Sequence, residues 1–270
     1  MGKQHTIITV SVLILLMGSF LIIPRLFGMV TSKQLSGMPT VFVHGYKGTF
    51  NSFANMLKRF EDQDWGKKVL VYHISKKGKI RVTHSGDIDA SPAYIQVVFE
   101  DNRASFEDTS EWLSKVLAHL KKNYNAKSIN LVGHSMGGVV SLKYIEDYQD
   151  ENKYPRINKL ITLGSPFDGI YSEEYFRLHR DAAAIDLMPD SAALNILKSN
   201  KDAFPDHIDV LNVGSTGDLI AVPDSVNSLQ DIVSEEKLTE VMIDNEKLGH
   251  SALHENEHVD KLVHDFLNEK

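Results

Sequence analysis

The residues of clearest chemical meaning are Gly133-His134-Ser135-Met136-Gly137, which form a G-x-S-x-G pattern. They lie between an apolar run typical of a buried strand and a run with helical spacing. In a tight strand-to-helix turn, side chains two positions before and two positions after the serine would clash, so both positions are glycine. The pattern predicts that Ser135 is a nucleophile and that the Met136 amide, at the start of the helix, stabilises a developing oxyanion.

The composition narrows the chemistry further. The 270 residues contain no cysteine, which excludes disulfides, a thiol nucleophile, iron–sulfur clusters and zinc sites built on cysteine. Covalent catalysis would therefore use an oxygen or nitrogen nucleophile. The formal net charge is −7, and an acidic surface repels phosphate backbones, so we expect no nucleic acid partner. We also expect no cofactor and no metal, and the sequence leaves the oligomeric state open.

The first 30 residues differ from the rest of the chain. The 18 residues 6–23 carry no charge, lie between Lys3 and Arg25, and are just long enough to span a bilayer. No A-x-A cleavage site follows them, so we expect an uncleaved anchor in the cell membrane, single-pass, with the rest of the chain extracellular. A cleaved signal segment and a secreted protein form the alternative. Residues 31–270 have the size of one large α/β domain.

From residue 39 onwards, short apolar β-branched runs alternate with segments of helical spacing. This alternation implies a mainly parallel central sheet flanked by helices. Residues 168–207 lack a strong strand signal but contain two helical segments, 173–184 and 191–198, and we interpret them as a small helical cap insertion. The predicted strands cover residues 39–43, 67–75, 80–83, 94–100, 128–132, 159–163, 208–213 and 239–243. The other predicted helices cover residues 52–60, 105–124, 136–148 and 259–267.

Six segments carry a resemblance to a known family. They read HGYKG at 44–48, YIQVVFEDN at 94–102, NLVGHSMGG at 130–138, ITLGSPFDG at 161–169, DLMPDSAALNIL at 186–197 and HSALHEN at 250–256. On these segments the chain resembles the α/β-hydrolases, and more closely the lipase-like cell-surface hydrolases of unknown function from low-GC Gram-positive bacteria. The resemblance runs from about residue 40 to residue 267. It implies the α/β-hydrolase fold and a Ser-His-Asp triad.

The resemblance also implies how an oxyanion is held. Lipase-like members have an HG-x-x-G turn after the first core strand, and His44-Gly45-Tyr46-Lys47-Gly48 stands at that place. Two N–H groups must point at the tetrahedral oxygen, so the Tyr46 amide is expected to act beside that of Met136. An ordinary loop with glycines for tight turns is the plainer interpretation of the same residues.

The acid and the base of the triad are expected on the last loops. Asp218 follows a predicted strand and precedes a Val-Pro pair as in the family, and it is the expected acid. Asp224, six residues on, and Asp168, after the preceding strand, are the alternatives. His250 lies in the segment that matches the family's histidine loop and is the expected base, with His254 as the alternative. The order serine, aspartate, histidine along the chain is that of α/β-hydrolases.

A competing pattern occurs near the C-terminus, where His254-Glu255-Asn256-Glu257-His258 reads H-E-x-x-H, as in zinc peptidases. On one helix His254 and His258 would share a face, but His264 would lie about 240° round from His258, so the ligands would not converge. Lys261 stands where metzincins have a helix-breaking glycine. We therefore expect a solvated helix face here rather than a metal site.

These residues predict a serine hydrolase that cleaves small-molecule or lipid carboxylic esters, esterase- or lipase-like, through an acyl-enzyme. The membrane is the other expected partner, through the N-terminal segment. A thioesterase or an acyltransferase would use the same triad, and the sequence does not separate these activities. An alternative of another class is a surface binding protein that keeps the hydrolase scaffold and has no turnover.

Overall fold

The apolar β-branched runs form strands, and the segments of helical spacing between them form helices. The computed structural model describes residues 34–269. Its strands are β1 (Thr40–Val43), β2 (Lys67–Ile74), β3 (Ile80–His84), β4 (Ala93–Phe99), β5 (Ser128–His134), β6 (Arg156–Leu163), β7 (Asp209–Ser215) and β8 (Leu238–Ile243). Its α-helices are α1 (Asn51–Asp62), α2 (Phe106–Tyr124), α3 (Met136–Asp147), α4 (Glu173–Leu178), α5 (Ala182–Asp186), α6 (Ala192–Ser199), α7 (Pro223–Asn227) and α8 (Glu257–Asn268).

All of these strands belong to one sheet, in the order β3-β2-β4-β1-β5-β6-β7-β8. The hairpin of β2 and β3 is antiparallel, whereas every other neighbouring pair is parallel. Parallel neighbours need long crossover connections, and helices provide them. The sheet therefore has the predicted α/β-hydrolase architecture, mainly parallel and flanked by helices.

Both faces of the sheet are covered by helices. Successive residues of a strand point to opposite faces, and on β1 the side chains of Val41 and Val43 join one apolar cluster while Phe42 joins the other. The first cluster contains residues of α2 and α3, and the second contains residues of α1 and α8. Because neither face meets water, the central strands read as continuous apolar runs.

The cap differs from the prediction in one place. The single helix expected at 173–184 is wrong, since the chain forms α4, leaves the helical conformation after Leu178, and starts again with α5. The break has a local cause: Asp181 is extended, and its side chain accepts a hydrogen bond from the Ala184 amide at 3.2 Å, which caps α5. The short helix α7, which starts with Pro223 in its first turn, was also not predicted.

The predicted anchor at 6–23, and with it the whole N-terminal segment 1–30, lies outside the described residues. Among residues 34–269, no helix combines the length and the apolar character that a membrane crossing requires. The described part begins beside the end of α2, where the Leu35 amide donates to the Tyr124 carbonyl at 3.1 Å.

Candidate active site

Ser135 stands at the turn between β5 and α3. Its backbone φ is +56°, in the left-handed region that few non-glycine residues adopt. A Cβ at Gly133 would lie 2.4 Å from the Cα of Gly138, and one at Gly137 would lie 2.1 Å from the carbonyl oxygen of Val43. The turn therefore requires glycine on both sides of the serine, and it holds Ser135 at the carboxyl edge of the sheet, where open α/β sheets bind ligands.

Ser135, His250 and Asp218 lie in one chain of hydrogen bonds. The Oγ of Ser135 is 2.8 Å from Nε2 of His250, and Nδ1 of His250 is 2.7 Å from Oδ2 of Asp218. Because a carboxylate only accepts, His250 donates from Nδ1 and accepts the serine hydrogen at Nε2. The other oxygen of Asp218 accepts from the amides of Ile220 and Ala221, each at 2.9 Å. The carboxylate is thus buried, fixed and able to orient the imidazole.

The three residues reach this point from different elements. Ser135 follows β5, Asp218 follows β7, and His250 follows β8 and opens a 3-10 turn. The carboxyl ends of parallel strands meet at one edge of a sheet, so residues 115 positions apart in the sequence become neighbours.

Neither of the two alternative acids bonds to His250 in the described part of the chain. Asp224 is exposed in the first turn of α7, and among the described residues it makes no hydrogen bond with His250. Asp168 forms an ion pair with Lys198 and accepts a hydrogen bond from the Tyr171 hydroxyl, which ties the start of the cap to α6. Of the three candidate acids, Asp218 is the one that contacts His250.

A second imidazole supports the loop of His250. Nε2 of His134 lies 3.1 Å from the carbonyl oxygen of His250, which accepts its hydrogen. Burial, and then the neighbouring His250 and His254, hold the pKa of His134 well below its usual range, so the ring is neutral. His254, the alternative base, packs its ring 4.5 Å from that of His134 and 6.0 Å from that of Phe53. The structure therefore brings His250, and not His254, to the Ser135 hydroxyl.

His44 and Gly48 orient the peptide that joins Gly45 to Tyr46. The Gly45 carbonyl accepts from Nδ1 of His44 and from the Gly48 amide, both at 2.9 Å. The two ends of a planar trans peptide point in opposite directions, so the Tyr46 N–H is aimed away from His44. Nε2 of His44 accepts from the Phe99 amide at 3.0 Å, and burial lowers the pKa of His44 to about 4. The ring therefore stays neutral, with its hydrogen on Nδ1.

Gly45 brings this peptide against the serine. A Cβ at Gly45 would lie 2.7 Å from Cβ of Ser135 and 3.1 Å from the amide nitrogen of Met136. Within residues 34–269, no acceptor bonds the Tyr46 amide. The two predicted oxyanion donors, the amides of Tyr46 and Met136, are therefore close neighbours beside Ser135.

Two residues that the sequence analysis did not single out connect this loop to the cap. The hydroxyl of Tyr46 donates to Oδ2 of Asp181 at 2.6 Å, and the guanidinium of Arg103 donates to the same oxygen at 2.9 Å. No local pattern pairs Tyr46 with a residue 135 positions away. His44, by contrast, is the first residue of the HGYKG motif and directly follows an apolar strand, which was a usable signal.

The H-E-x-x-H segment is not one continuous helix. His254 lies in the 3-10 turn, whereas His258 lies in α8, and Asn256 separates them by accepting from the His258 amide at 2.9 Å. The ring of His264 stacks on Trp65 at 4.1 Å. The expected solvated helix face holds for His258, which is exposed on α8, and fails for His254, which is buried. In the described part of the chain, no cluster of three or more His, Asp or Glu side chains could hold a metal ion.

The family is shown by a sequence match. The model of the family described as "Alpha/beta hydrolase of unknown function (DUF915)" matches residues 29–270. The chain belongs to this family. The match confirms the resemblance that the motifs carry, and it extends beyond the predicted limits of 40–267 at both ends.

Two solved structures share the fold of this DUF915 chain. A gene product of Listeria innocua superposes with a TM-score of 0.72 at 22% identity, covering 87% of this chain and 95% of that one. A protein of Lactobacillus plantarum described as a cell surface hydrolase superposes with a TM-score of 0.67 at 19% identity, covering 88% and 91%. Both come from low-GC Gram-positive bacteria, and at these identities the likeness shows the fold alone.

Two curated relatives are fungal. The GPI inositol-deacylase B of Yarrowia lipolytica is 25% identical over 150 residues, which are 48% of this DUF915 chain and 14% of that protein. The GPI inositol-deacylase of Candida albicans is 23% identical over 199 residues, 72% of this chain and 41% of that protein. The chain therefore spans less than half the length of either relative.

Proposed function

We propose that this DUF915 protein is a serine hydrolase that cleaves carboxylic esters. Ser135 attacks the ester carbonyl while Nε2 of His250 takes its proton, and Asp218 stabilises the resulting imidazolium. The amides of Tyr46 and Met136 donate to the oxyanion. His250 then protonates the departing alcohol, and water, deprotonated by the same imidazole, cleaves the acyl-enzyme and releases the acid.

One observation carries the proposal, namely the unbroken chain of hydrogen bonds from the Ser135 hydroxyl through His250 to Asp218, at 2.8 and 2.7 Å. A serine hydroxyl is a weak nucleophile until a base within hydrogen-bond reach can take its proton. The amides beside the serine add support, because acyl transfer needs donors placed where negative charge develops. The names of the two fungal deacylases agree with an O-acyl ester as the substrate.

The same machinery would serve a thioesterase or an acyltransferase. A scaffold that binds without turnover is the remaining alternative, since a fold does not guarantee activity. Substitution of one triad member would be expected in such a scaffold, whereas Ser135, Asp218 and His250 are all present here.

The test uses the purified protein with p-nitrophenyl esters of increasing acyl length and with a fluorophosphonate probe. The wild type should hydrolyse at least the short esters and take the label on Ser135. Ser135→Ala should lose the label and lower kcat by roughly 10⁶, as removal of the nucleophile does in other triad enzymes. Ser110→Ala, which removes another buried serine hydroxyl on α2, is the matched control and should keep both properties.

If the wild type neither hydrolyses any ester nor takes the label, the results would favour a binding protein that keeps the hydrolase scaffold without turnover. Turnover of thioesters or transfer to an added alcohol, with no release of acid from oxygen esters, would redirect the proposal to the other acyl chemistries.

We further propose that residues 1–30 attach the hydrolase domain, residues 31–270, to the outer face of the cell membrane. The Lactobacillus plantarum neighbour, described as a cell surface hydrolase, agrees with this placement. Cells that express the full chain should retain it in the membrane fraction and expose it to added protease, and deletion of residues 1–30 should abolish the membrane association. Recovery in the medium of a protein that lacks the N-terminal segment would instead support a cleaved signal segment.

A further inference from the structure

Basic side chains gather beside the loop that carries the proposed oxyanion donor, in a chain whose net charge is −7. Nζ of Lys47 lies 5.1 Å from the centre of the Tyr46 ring, and the guanidinium carbon of Arg103 lies 5.9 Å from it. The ring of His179, from the cap, is centred 5.7 Å from the same phenol ring. We call Lys47, Arg103 and His179 the basic cluster.

The basic cluster is only partly neutralised. Asp181 is its carboxylate, and one oxygen of Asp181 already accepts from both Tyr46 and Arg103. Among the described residues, no carboxylate oxygen lies within 4.0 Å of Nζ of Lys47. Asp181 thus pairs with Arg103, whereas Lys47 has no carboxylate partner among the described residues, which leaves a net attraction for an anion.

The contact between Lys47 and His179 indicates what the cluster lacks. Nζ of Lys47 lies 3.0 Å from Nδ1 and 3.1 Å from Nε2 of His179. An ammonium has three N–H donors and a neutral imidazole accepts at one nitrogen, so at most one of these contacts is a hydrogen bond. Among the described residues, at least two N–H groups of Lys47 therefore have no acceptor, and an anionic oxygen could accept from them.

The basic cluster is fixed close to the nucleophile. Lys47 is two residues from Gly45, which touches Ser135, and its amide donates to the carbonyl of Asn102 at 2.8 Å. Arg103 follows Asn102 directly, so the two permanent cations are held by one backbone contact. Because a residue spans at most about 3.6 Å of chain, the Cα of Lys47 lies within about 7 Å of the Cα of Gly45, which lies beside Ser135.

We propose that the basic cluster binds a phosphoryl group of the substrate, so that the preferred substrates are carboxylic esters that carry a phosphoryl group a few bonds from the scissile ester. The inference rests on the proposed function and assigns a substrate class to it. Phosphoryl oxygens accept from several donors at once, and their charge matches the lysine and arginine cations.

Binding is tested without catalysis, in Ser135→Ala protein titrated with glycerol 3-phosphate and with inorganic phosphate by calorimetry. Both ligands should bind, and Lys47→Met in the same background should weaken binding about tenfold, the worth of one charged hydrogen bond. Lys153→Met removes the same charge from an exposed site outside the cluster and should leave the affinity unchanged. Equal weakening of binding by both substitutions would show that the affinity depends only on the net charge of the protein, and it would overturn the proposal.

Substrate preference is tested with two water-soluble esters, dibutyrylglycerol 3-phosphate and dibutyrylglycerol. The ratio of kcat/KM for the phosphorylated ester to that for the neutral ester should be about tenfold in the wild type, mainly through KM. Lys47→Met and His179→Leu should each reduce this ratio, and Lys153→Met should not. A ratio near one in the wild type would overturn the proposal, even if free phosphate binds.

The two proposals can fail separately. Hydrolysis of both esters at equal rates would leave the hydrolase standing and remove the phosphoryl subsite. Binding of glycerol 3-phosphate that depends on Lys47, together with no hydrolysis of any ester, would keep the subsite and remove the hydrolase.

Discussion

Nδ1 of His44 donates a hydrogen bond to the carbonyl oxygen of Gly45, the next residue, at 2.9 Å. That carbonyl belongs to the same peptide as the Tyr46 amide, so the His44 side chain, together with the Gly48 amide, orients a proposed oxyanion donor. The motif glycines make room for this arrangement, since a Cβ at Gly48 would lie 2.4 Å from Nδ1 of His44. The His of the HG-x-x-G turn is therefore a positioning residue, which acts through the peptide it holds.

Replacement of His44 by phenylalanine should separate this role from simple packing. The phenyl ring fills the site but leaves the Phe99 amide without its acceptor, and it leaves the Gly45 carbonyl with the Gly48 amide as its remaining donor. We expect kcat for p-nitrophenyl acetate to fall about 10²-fold, as when an oxyanion donor is lost, with KM nearly unchanged. The free energy of unfolding should fall by about 1–3 kcal/mol, the cost of a buried unpaired N–H.

His44→Asn provides the control, because its side-chain amide can still donate to Gly45 although it does not replace Nε2. This variant should recover much of kcat while remaining destabilised. If both variants lose stability and neither loses more kcat than the other, His44 is a packing residue and its proposed role is wrong.

The elements that carry the chemistry were predictable because their signals are local. The apolar run before Ser135, the glycines around it and the helical spacing after it are all contained within residues 128–148, and strand, turn and helix follow from short-range sterics. The same holds for the strands that precede Asp218 and His250. Their placement at carboxyl ends of parallel strands follows from the α/β pattern, so the three residues could be expected at one edge of the sheet.

The rest depends on contacts between distant parts of the chain. The hydrogen bond between Tyr46 and Asp181 joins a loop to the cap, and neither hydrophobic periodicity nor a sequence motif predicts it. The prediction of one helix at 173–184 was wrong for a related reason. Its many good helix formers favour a continuous helix, whereas in the structure Asp181 caps a new one. His254 and His258 likewise read as one helical face because helical spacing does not reveal that Asn256 ends one element and starts the next.

The choice between the two late aspartates can be tested by removing one charge at a time. Asp218→Asn keeps the shape of the side chain but can no longer stabilise the imidazolium of His250, so kcat should fall by about 10⁴. Asp224→Asn, at an exposed position six residues away, should leave kcat within about twofold of the wild type. Rates are measured on p-nitrophenyl acetate with the folded fraction checked by circular dichroism. A near-silent Asp218→Asn with a severe Asp224→Asn would reverse the assignment.

The loop of His250 is stabilised from α1 by Arg59. Its guanidinium forms a two-point ion pair with Asp260, one arm of which measures 3.0 Å, and donates to the His254 carbonyl at 3.0 Å. Arg59→Met should lower the free energy of unfolding by about 2–4 kcal/mol, since it leaves a buried carboxylate without its partner. Lys58→Met removes the same charge from the neighbouring, exposed position and should leave the urea midpoint nearly unchanged.

The pH dependence of the Arg59→Met effect adds a second readout. Burial already raises the pKa of Asp260, although the guanidinium of Arg59 lowers it. Removal of the guanidinium should therefore raise the pKa of Asp260 further. A raised pKa in the folded state means that the folded protein binds the proton more tightly than the unfolded one, so stability falls as pH rises. The variant should therefore lose more stability at pH 8 than at pH 5, and an equal loss at both would show that the guanidinium of Arg59 does not affect the pKa of Asp260.

Glu146, on α3, is a buried carboxyl group. Unlike Asp260, it forms no ion pair within the described residues. Glu146 is 7% exposed, and among the described residues neither of its carboxyl oxygens has a hydrogen-bond partner. Burial, with a further contribution from Asp147 and against the effect of Lys143, raises the pKa of Glu146 to about 8. In the unfolded chain the group ionises near its ordinary value of 4.5.

Between these two values the folded protein holds a proton that the unfolded chain releases, so Glu146 makes stability fall as pH rises from about 4.5 to about 8. Glu146→Gln removes the titration and keeps the size of the side chain. The stability difference between variant and wild type should therefore grow in favour of the variant by about 2 kcal/mol from pH 5.5 to pH 7.5, because one proton is worth about 1.4 kcal/mol per pH unit.

Groups that both proteins share, such as His44, cancel in this difference. Urea unfolding at the two pH values measures it, with Glu151→Gln, an exposed position, as the control that should parallel the wild type. Parallel curves for Glu146→Gln and the wild type would mean that Glu146 ionises alike in the folded and unfolded chains.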